Sequence, residues 1–336
     1  MFNTLPDSID FEAYLKSTET KNHRMRRPQD FIDETIERMF GDNAGNHARL
    51  PFGFADIQFR PGEVTVWAGA NGHGKSMVIS QVMFGFIQQG FSCGVASFEL
   101  LPEALNKRLI MQAAGGIPNA QYVRDFLTWT GNRLWYADVR GSASNKDMLG
   151  IVRYAAREHK VQHFFIDNLM CCVSGEDDYN SQKDFVFELC GMARELGIHI
   201  HLVHHVRKLI DEKTIPGKFD IKGSGSITDR VDNAIIVFRN KRKEAELQKS
   251  DKEITLEKRN EWRQAYDASL IIVKQRDGGE ESTIKLWFHK DSNSYHDRRI
   301  DGRPPMFEVP KAKPKGLLAK ETKALNEQEP YEIHAG

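Results

Sequence analysis

The octapeptide from Gly69 to Ser76, GANGHGKS, constrains the fold more than any other segment of the sequence. It begins with a glycine and ends with glycine, lysine and serine. The stretch before it, EVTVWAG, predicts a strand, and the stretch after it, KSMVISQVMFGFIQQ, predicts a helix. Glycines allow the backbone to wrap a phosphate chain with its N–H groups pointing inward, and the N-terminus of the helix adds positive potential. The pattern G-x-x-x-x-G-K-S therefore predicts a phosphate-binding loop at the end of a strand.

The side chains of this phosphate loop have distinct predicted roles. Lys75 is expected to reach the β and γ phosphates of a nucleotide, and the Ser76 hydroxyl is expected to bind Mg²⁺. A glycine-rich turn that only begins a helix is the alternative, but the flanking strand and helix favour a nucleotide site. The residues expected to contact the nucleotide are Gly69, Ala70, Asn71, Gly72, His73, Gly74, Lys75, Ser76 and Met77.

Predicted strands and helices alternate through the rest of the chain. The helices KDMLGIVRYAAREH and QKDFVFELCGMAREL separate strands and show helical spacing of their apolar residues. This alternation predicts an α/β fold with a mostly parallel central sheet and helices on both faces. The further predicted strands are SCGVASFE, RLWYADV, HFFIDN, IHIHLV, NAIIVF, LIIVK and TIKLWF.

The chain divides into a central domain and less regular ends. Residues 1–30 are polar and form an N-terminal arm that is either ordered or flexible, and residues 31–50 contain an amphipathic helix. Residues 51–298 form the α/β domain, in which the charged residues 239–263 are interpreted as a solvated helical insertion rather than a nucleic-acid-binding element. Residues 299–336 are rich in Pro, Lys and Glu, which predicts a flexible tail.

The amphipathic helix has an apolar stripe formed by Ile32, Ile36 and Phe40 at i, i+4 and i+8. Asp30 is positioned to cap this helix, and Gly41 to end it. Because a helix of about three turns is marginal alone, we expect the stripe to dock on a partner surface.

Composition leaves the partner of the protein open. Lys plus Arg and Asp plus Glu are equal at 47 each, so any nucleic-acid contact has to come from local basic segments. The first residues lack a signal-peptide pattern and no run approaches the roughly 18 apolar residues of a membrane span, so we expect a cytoplasmic protein without a membrane segment. The four cysteines lack C-x-x-C spacing, which predicts free thiols rather than a zinc site.

Two acidic residues at predicted strand ends are candidates for nucleotide chemistry. Asp167 ends the strand HFFID and is expected to bind the Mg²⁺ of the nucleotide. In many proteins with a phosphate loop, a glutamate directly follows this aspartate and activates the attacking water, but here the next residue is Asn168. The base then has to come from elsewhere, and Glu99 at the end of SCGVASFE fits that role. The alternatives are an aspartate that only ends a strand and a glutamate with no role in chemistry.

His199 and His201 alternate with apolar residues, so both rings are expected on one face of a strand. Such a pair could bind a metal, but no third ligand has convincing spacing. We therefore favour polar positions in a packed strand.

Two further segments carry basic residues beside glycines. Residues 206–222 are modestly basic and lead into KGSGSI, in which small residues let backbone N–H groups approach phosphates closely. Lys274 and Arg276, in IIVKQRDGG, are two apart on a predicted strand and share a face before a Gly-Gly turn. A flexible loop without a ligand and a hairpin with a surface arginine are the alternatives.

In this order, the motifs resemble those of ring-shaped, DnaB-like and phage-type replicative DNA helicases, whose motor is a RecA-like P-loop NTPase domain. The resemblance runs from about residue 51 to about residue 290, and its most specific parts are the phosphate loop and the segment IKGSGSI. It implies that Glu99 is the catalytic base, and that His205, with His204 as second choice, senses the γ-phosphate. It also implies that Arg276, with Lys274, enters the nucleotide site of the neighbouring subunit. The residues implied to bind DNA are Arg207, Lys208, Lys213, Lys218, Lys222, Gly223, Ser224 and Gly225.

The same resemblance implies a homo-hexamer that uses ATP or dTTP with Mg²⁺, translocates on single-stranded or forked DNA and unwinds duplex DNA during replication in a bacterial cytoplasm. The helix within residues 31–50 would be a linker helix docked on the neighbouring subunit. No primase module precedes the motor, so we expect no priming activity and a separate primase, polymerase or single-strand-binding protein as partner. The alternatives are a RecA- or KaiC-type DNA-dependent ATPase without unwinding, and a nucleotide-switched module for replisome assembly.

Overall fold

The computed structural model describes residues 27–40, 47–52, 57–137, 143–172, 179–207, 211, 213–222, 224–277 and 281–310. The strands, β1 to β11 in chain order, are Ala48–Arg49, Gln58–Phe59, Val64–Gly69, Cys93–Ser97, Leu134–Ala137, His163–Asp167, His199–His205, Asn233–Arg239, Ala268–Gln275, Ser282–His289 and Ser294–His296. The α-helices, α1 to α9, are Ile32–Phe40, Lys75–Gln88, Pro102–Ala114, Ala120–Thr130, Asn145–Glu158, Tyr179–Leu196, Ser224–Thr228, Lys241–Gln248 and Leu256–Gln264. Most of the predicted N-terminal arm and of the predicted C-terminal tail lies outside the described residues.

Strands β3 to β11 form one nine-stranded sheet in the order β11-β10-β9-β8-β3-β7-β6-β4-β5. Neighbouring strands from β8 to β5 are parallel. Strands β9, β10 and β11 extend the sheet with antiparallel pairs. The predicted α/β fold with a mostly parallel central sheet is therefore confirmed.

Helices cover both faces of the sheet, and this explains why its central strands are apolar on both sides. Val66, Ile166 and Leu202 pack in a core with residues of α5 and α6. Trp67 and Val203, the next residues along β3 and β7, pack in a second core with residues of α2, α3 and α4. This alternation follows the two-residue period of a strand. None of the helices in the described ranges is long and apolar enough to cross a membrane.

The sheet register brings the candidate residues of four strands to one edge. Gly69 of β3 pairs with His205 of β7, and Ser97 of β4 pairs with Asp167 of β6. These residues lie at the carboxyl ends of parallel strands, the edge at which α/β proteins bind their ligands.

The predicted helix near the N-terminus is present, but its start differs from the prediction. A 3-10 turn, Pro28–Phe31, precedes α1, and the Asp30 carboxylate accepts a hydrogen bond from the Arg27 backbone N–H at 2.9 Å. Asp30 therefore caps this turn rather than α1, because a proline at a first helical position starts the structure earlier. Gly41 lies outside the described residues. The apolar side chains exposed on this turn and helix are Phe31, Ile32, Ile36, Met39 and Phe40.

The charged insertion is helical, as predicted, and forms α8 and α9. It is less solvated than predicted at Lys243, which is buried, with its Nζ 2.7 Å from Asp267. The insertion is thus fastened to the sheet by a charged pair that joins residues distant in sequence. Helices α3 and α4 are not predicted from the sequence; α3 begins with Pro102 and ends before Gly115, whose φ is 67°.

His199 and His201 lie on one face of β7, as predicted, and their rings stack with centroids 4.5 Å apart. Both rings are buried and hydrogen-bonded: the Thr65 hydroxyl lies 2.8 Å from His199 Nε2, and Trp67 Nε1 donates to His201 Nδ1 at 3.2 Å. The two histidines are therefore polar members of a packed core. No group of three or more His, Cys, Asp or Glu residues in the described ranges could hold a metal ion.

Candidate nucleotide site and basic segment

The phosphate loop has the backbone that its glycines predict. Gly74 precedes α2 with a φ of 85°, in the left-handed region that side chains rarely adopt. A Cβ atom at this position would lie 2.7 Å from the Tyr295 hydroxyl. The loop therefore needs glycine here both for its backbone conformation and for its contact with β11.

Lys75, the first residue of α2, is directed back into the loop. Its Nζ donates to the carbonyls of Gly69 at 2.9 Å and Ala70 at 3.0 Å, and lies 3.3 Å from His205 Nδ1. Burial lowers the pKa of Lys75, while the carboxylates of Asp167 and Glu99 raise it. The ammonium thus lies among loop carbonyls, in the position from which it can exchange to phosphate oxygens.

Asp167 and Ser76 meet beside Lys75. Asp167 is buried at the end of β6, and burial raises the pKa of its carboxyl group, whereas a hydrogen bond with Ser76 lowers it. A hydroxyl and a carboxylate oxygen are both ligands that Mg²⁺ prefers. The two side chains that the sequence assigns to the metal therefore lie together, and their chemistry fits the ion.

Glu99 lies just beyond β4, next to the end of β6. Its Oε1 accepts a hydrogen bond of 2.9 Å from Nδ2 of Asn168, which is itself buried. Asn168 Oδ1 in turn accepts from the Met170 backbone N–H at 3.0 Å. Asn168 is thus a residue that orients the candidate base, a role that the sequence reasoning missed. The signal for it is the amide side chain directly after the strand that Asp167 ends.

His205 and His204 have different surroundings. His205 is beside Lys75, as described above, whereas His204 is fully buried and its Nε2 lies 2.8 Å from the Lys222 carbonyl. The His205 carbonyl also accepts the Lys222 backbone N–H at 3.0 Å. The end of β7 therefore joins the phosphate loop to the basic segment that follows.

The basic segment folds back on β7. Val206 and Ile221 form an antiparallel bridge, and Arg207 and Asp220 form an ion pair of 2.7 Å. Of the residues implied to bind DNA, Lys208 and Gly223 lie outside the described residues. Lys213 and Gly225 are exposed, Lys218 and Lys222 are half-buried, and Ser224 begins α7. The Arg207 guanidinium is thus held within the segment by an acidic partner.

Lys274 and Arg276 lie at the opposite edge of the sheet from the phosphate loop. Gln275 and Thr65 both pair with Asn233, the first residue of β8. At about 3.3 Å per strand residue, the four steps from Thr65 to Gly69 place Gln275, the neighbour of Arg276, about 13 Å from the loop along the strand direction alone.

The same two side chains are anchored to the turn that follows α7. Arg276 Nη1 forms an ion pair of 3.0 Å with Asp232, and its Nη2 donates to the Asp229 carbonyl at 3.2 Å. Lys274 Nζ donates to the carbonyls of Thr228 at 2.6 Å and Val231 at 2.8 Å.

Comparison with known proteins agrees with this geometry. Among solved structures, one described as an "ATPase Domain" is 19% identical with a TM-score of 0.64, and the alignment covers 81% of this chain and 99% of that chain. Another, described as "The Structure Of A DnaB-Like Replicative Helicase And Its Interactions With Primase", is 17% identical with a TM-score of 0.61, covering 81% of this chain and 67% of that chain. These likenesses show the fold.

The family model described as DnaB-like helicase C terminal domain matches residues 56–297. That span includes the phosphate loop, both candidate carboxylates, the basic segment and Arg276. The chain therefore belongs to the DnaB-like helicase C-terminal domain family, and it is a nucleoside triphosphatase with the function of a helicase.

Proposed function

We propose that the chain is the motor subunit of a homo-hexameric ring that hydrolyses ATP or dTTP with Mg²⁺ and moves along single-stranded DNA to unwind a duplex. The observation that carries this proposal is the distance of Arg276 from its own phosphate loop, across the sheet. Arg276 lies too far from its own loop to contact the nucleotide there, and we infer from the family motif that it acts in the site of a neighbouring copy. A head-to-tail interface repeated around a closed ring meets that requirement.

Within one subunit, the loop N–H groups and Lys75 hold the phosphates, and Ser76 and Asp167 hold Mg²⁺. The bound ion neutralises charge on the β and γ oxygens. Glu99, oriented by Asn168, accepts the proton of the attacking water. The neighbour's Arg276, accompanied by Lys274, stabilises the charge that spreads over the transferred phosphoryl oxygens.

The basic segment contacts the backbone of single-stranded DNA. The residues proposed for this contact are Arg207, Lys208, Lys213, Lys218, Lys222, Gly223, Ser224 and Gly225. Because Lys222 is hydrogen-bonded through its backbone to both His204 and His205, a shift of His205 toward or away from the γ-phosphate moves the DNA-binding segment. Hydrolysis is thereby coupled to movement along the strand.

The exposed stripe of α1 supports docking on the neighbouring subunit, because an amphipathic helix does not expose such a face to water without a partner. Residues 31–50 thus link adjacent copies in the ring. Forked DNA and a separate primase, polymerase or single-strand-binding protein are the further partners that we propose. Localisation of the protein in a bacterial cytoplasm stays a prediction from the sequence.

A mixing experiment tests the shared site. Lys75→Ala removes the phosphate contact but keeps Arg276, and Arg276→Ala removes that arginine but keeps the phosphate loop. Each variant alone should lose DNA-stimulated hydrolysis. Rings assembled from equal amounts of both variants should regain activity in about a quarter of their sites. In these sites the intact phosphate loop of an Arg276→Ala subunit meets the intact Arg276 of a Lys75→Ala subunit across a head-to-tail interface. Arg298→Ala, at an exposed position, is the matched arginine control.

The mixed rings distinguish action across the interface from action within one chain. If mixing restores no hydrolysis while Arg298→Ala behaves as wild type, the shared site is wrong. Unwinding of a forked duplex by the wild-type protein separates the helicase from a DNA-dependent ATPase without unwinding, and turnover that depends on Glu99 separates it from a nucleotide-switched assembly module.

A further inference from the structure

An aromatic side chain is exposed within the basic segment. Phe219, in the 3-10 turn Lys218–Asp220, is 76% exposed, and Ile215 of the same segment is 55% exposed. Single exposed apolar side chains are common on protein surfaces. Two of them among the lysines of one segment form an apolar patch with a cationic rim, which fits a ligand with both an apolar and an anionic part.

The backbone around Phe219 is fixed by hydrogen bonds. The Asp220 carboxylate accepts the Gly217 backbone N–H at 2.8 Å, and the Asp220 carbonyl accepts the Arg207 backbone N–H at 2.7 Å. Ile221, which follows the turn, is buried. The exposure of the Phe219 ring is therefore a property of a hydrogen-bonded turn with a buried anchor beside it.

Positive charge lies beside the aromatic ring. Burial lowers the pKa of Lys274, and the nearby charges of Arg276 and Lys218 lower it further. Lys218 directly precedes the aromatic residue, so this repulsion acts at the turn itself. The acidic residue of the turn, Asp220, is already paired with Arg207 at 2.7 Å. A polyanion at this surface would reduce the repulsion between the cations.

Single-stranded DNA combines the two chemistries that this surface presents. Its phosphates match the lysines, and each unpaired base has an apolar face that can stack on an aromatic ring. In a duplex these faces are covered by the neighbouring base pairs, so the ring favours an unpaired strand. Because a phenyl ring has no group that hydrogen-bonds a base edge, the contact tolerates any base sequence.

We propose that Phe219 stacks on a base of the single strand whose phosphates the basic segment binds. This inference rests on the proposed function of that segment in DNA binding and adds a contact with the bases. The Lys222 backbone N–H is bound to the His205 carbonyl, so the ring moves together with the end of β7. Phosphate contacts alone let a protein slide along DNA, whereas a stacked base resists sliding. The ring thus transmits movement of the segment to the strand.

Binding of two oligonucleotides to the full chain tests the proposal. The probes are oligo-dT and an abasic strand with the same number of phosphates, each with Mg²⁺ and the non-hydrolysable β,γ-imido analogue of ATP. The wild-type protein should bind oligo-dT more tightly than the abasic strand. Phe219→Ala should weaken binding of oligo-dT by about fivefold or more, the value of one stacked base, and should change binding of the abasic strand by less than about twofold. Leu256→Ala, which removes a side chain that is 73% exposed in α9, should change neither.

Further replacements of Phe219 separate stacking from other roles of the ring. Phe219→Tyr and Phe219→Trp should keep the preference for oligo-dT, whereas Phe219→Leu, which is apolar but not flat, should lose most of it. The fluorescence that Phe219→Trp adds should be quenched by oligo-dT but not by the abasic strand. Because the ring is exposed, Phe219→Ala should leave Tm unchanged and the rings intact in sedimentation analysis. Broken rings with equal loss of both strands would show a contact with the neighbouring subunit and overturn the proposal.

The remaining outcomes also decide the question. Equal binding of both strands by the wild-type protein, or an unchanged ratio of their affinities in Phe219→Ala, overturns the stacking contact. In that case, loss of both strands in Lys222→Ala with a weaker dependence of binding on salt would still support phosphate binding by the segment. If the wild-type protein binds neither strand, both proposals fail.

Discussion

Replacement of Gly74 by alanine should destabilise the phosphate loop through two separate effects, one on the backbone conformation and one on packing. The left-handed φ of 85° is unfavourable for alanine, by about 1–2 kcal/mol. The added Cβ would also lie 2.7 Å from the Tyr295 hydroxyl, and crowding of this kind costs about 1–3 kcal/mol. Together, Gly74→Ala should lower the free energy of unfolding by about 2–5 kcal/mol.

Urea unfolding of three variants separates the two contributions. Gly90→Ala is the matched control, because Gly90 has a φ of 96° and no atom lies within 4 Å of its Cβ position. It should lose only the conformational part, about 1–2 kcal/mol. Adding Tyr295→Phe to Gly74→Ala removes the crowded oxygen and should recover part of the loss, without restoring the backbone conformation.

Triphosphate hydrolysis should follow the geometry of the loop in the same variants. Gly74→Ala should lower kcat/KM because the shifted backbone misaligns the N–H groups before α2, whereas Gly90→Ala, outside the loop, should keep it. The reasoning is refuted if Gly74→Ala is no less stable than Gly90→Ala, or if Tyr295→Phe recovers nothing.

Three further predictions concern the base, the buried histidines and α1. Asn168→Ala removes the donor 2.9 Å from Glu99 and should lower kcat by about 10- to 100-fold with little change in KM; steady-state hydrolysis at the wild-type rate would contradict this. Burial lowers the pKa of His163, His199 and His201 below their usual 6.5, to about 3 for His199. These rings stay neutral in the folded chain, so their contribution to stability is complete above pH 6.5 and is lost as the pH falls below it, which urea unfolding between about pH 7.5 and about pH 5.5 measures; constant stability would contradict it. Phe40→Asp, at a side chain 75% exposed in the subunit, should break the ring in sedimentation analysis without lowering the subunit's Tm; intact rings would count against docking through α1.

The sheet and the phosphate loop were predictable because both depend on local pattern. β6, HFFID, is buried along its whole length, and the loop motif is contiguous in sequence. The positions of Glu99 and Asp167 at one edge followed from the rule that parallel strands end at the same side of a sheet.

Contacts between distant segments were not predictable in the same way. The hydrogen bond from Gln112 of α3 to the Met77 carbonyl of α2 depends on how the two helices pack, which no periodicity encodes. Burial of Lys243 depends on Asp267 across the insertion, so a run of mixed charge alone indicates a solvated helix. The cap at Asp30 was wrong because Pro28 already starts the 3-10 turn, and the proline was the signal to follow.

The carbonyls that hold Lys274 and Arg276 belong to residues 228–231, at the end of α7 and in the turn after it. A neighbour that draws Arg276 into its phosphates must take the guanidinium from these acceptors and from Asp232. In the ring that we propose, nucleotide binding to one copy would therefore release the turn beside the DNA-binding segment of the adjacent copy. Conformational changes in such a ring are transmitted in one direction around it, because the subunit that supplies the arginine and the subunit that binds it contribute different surfaces to each interface.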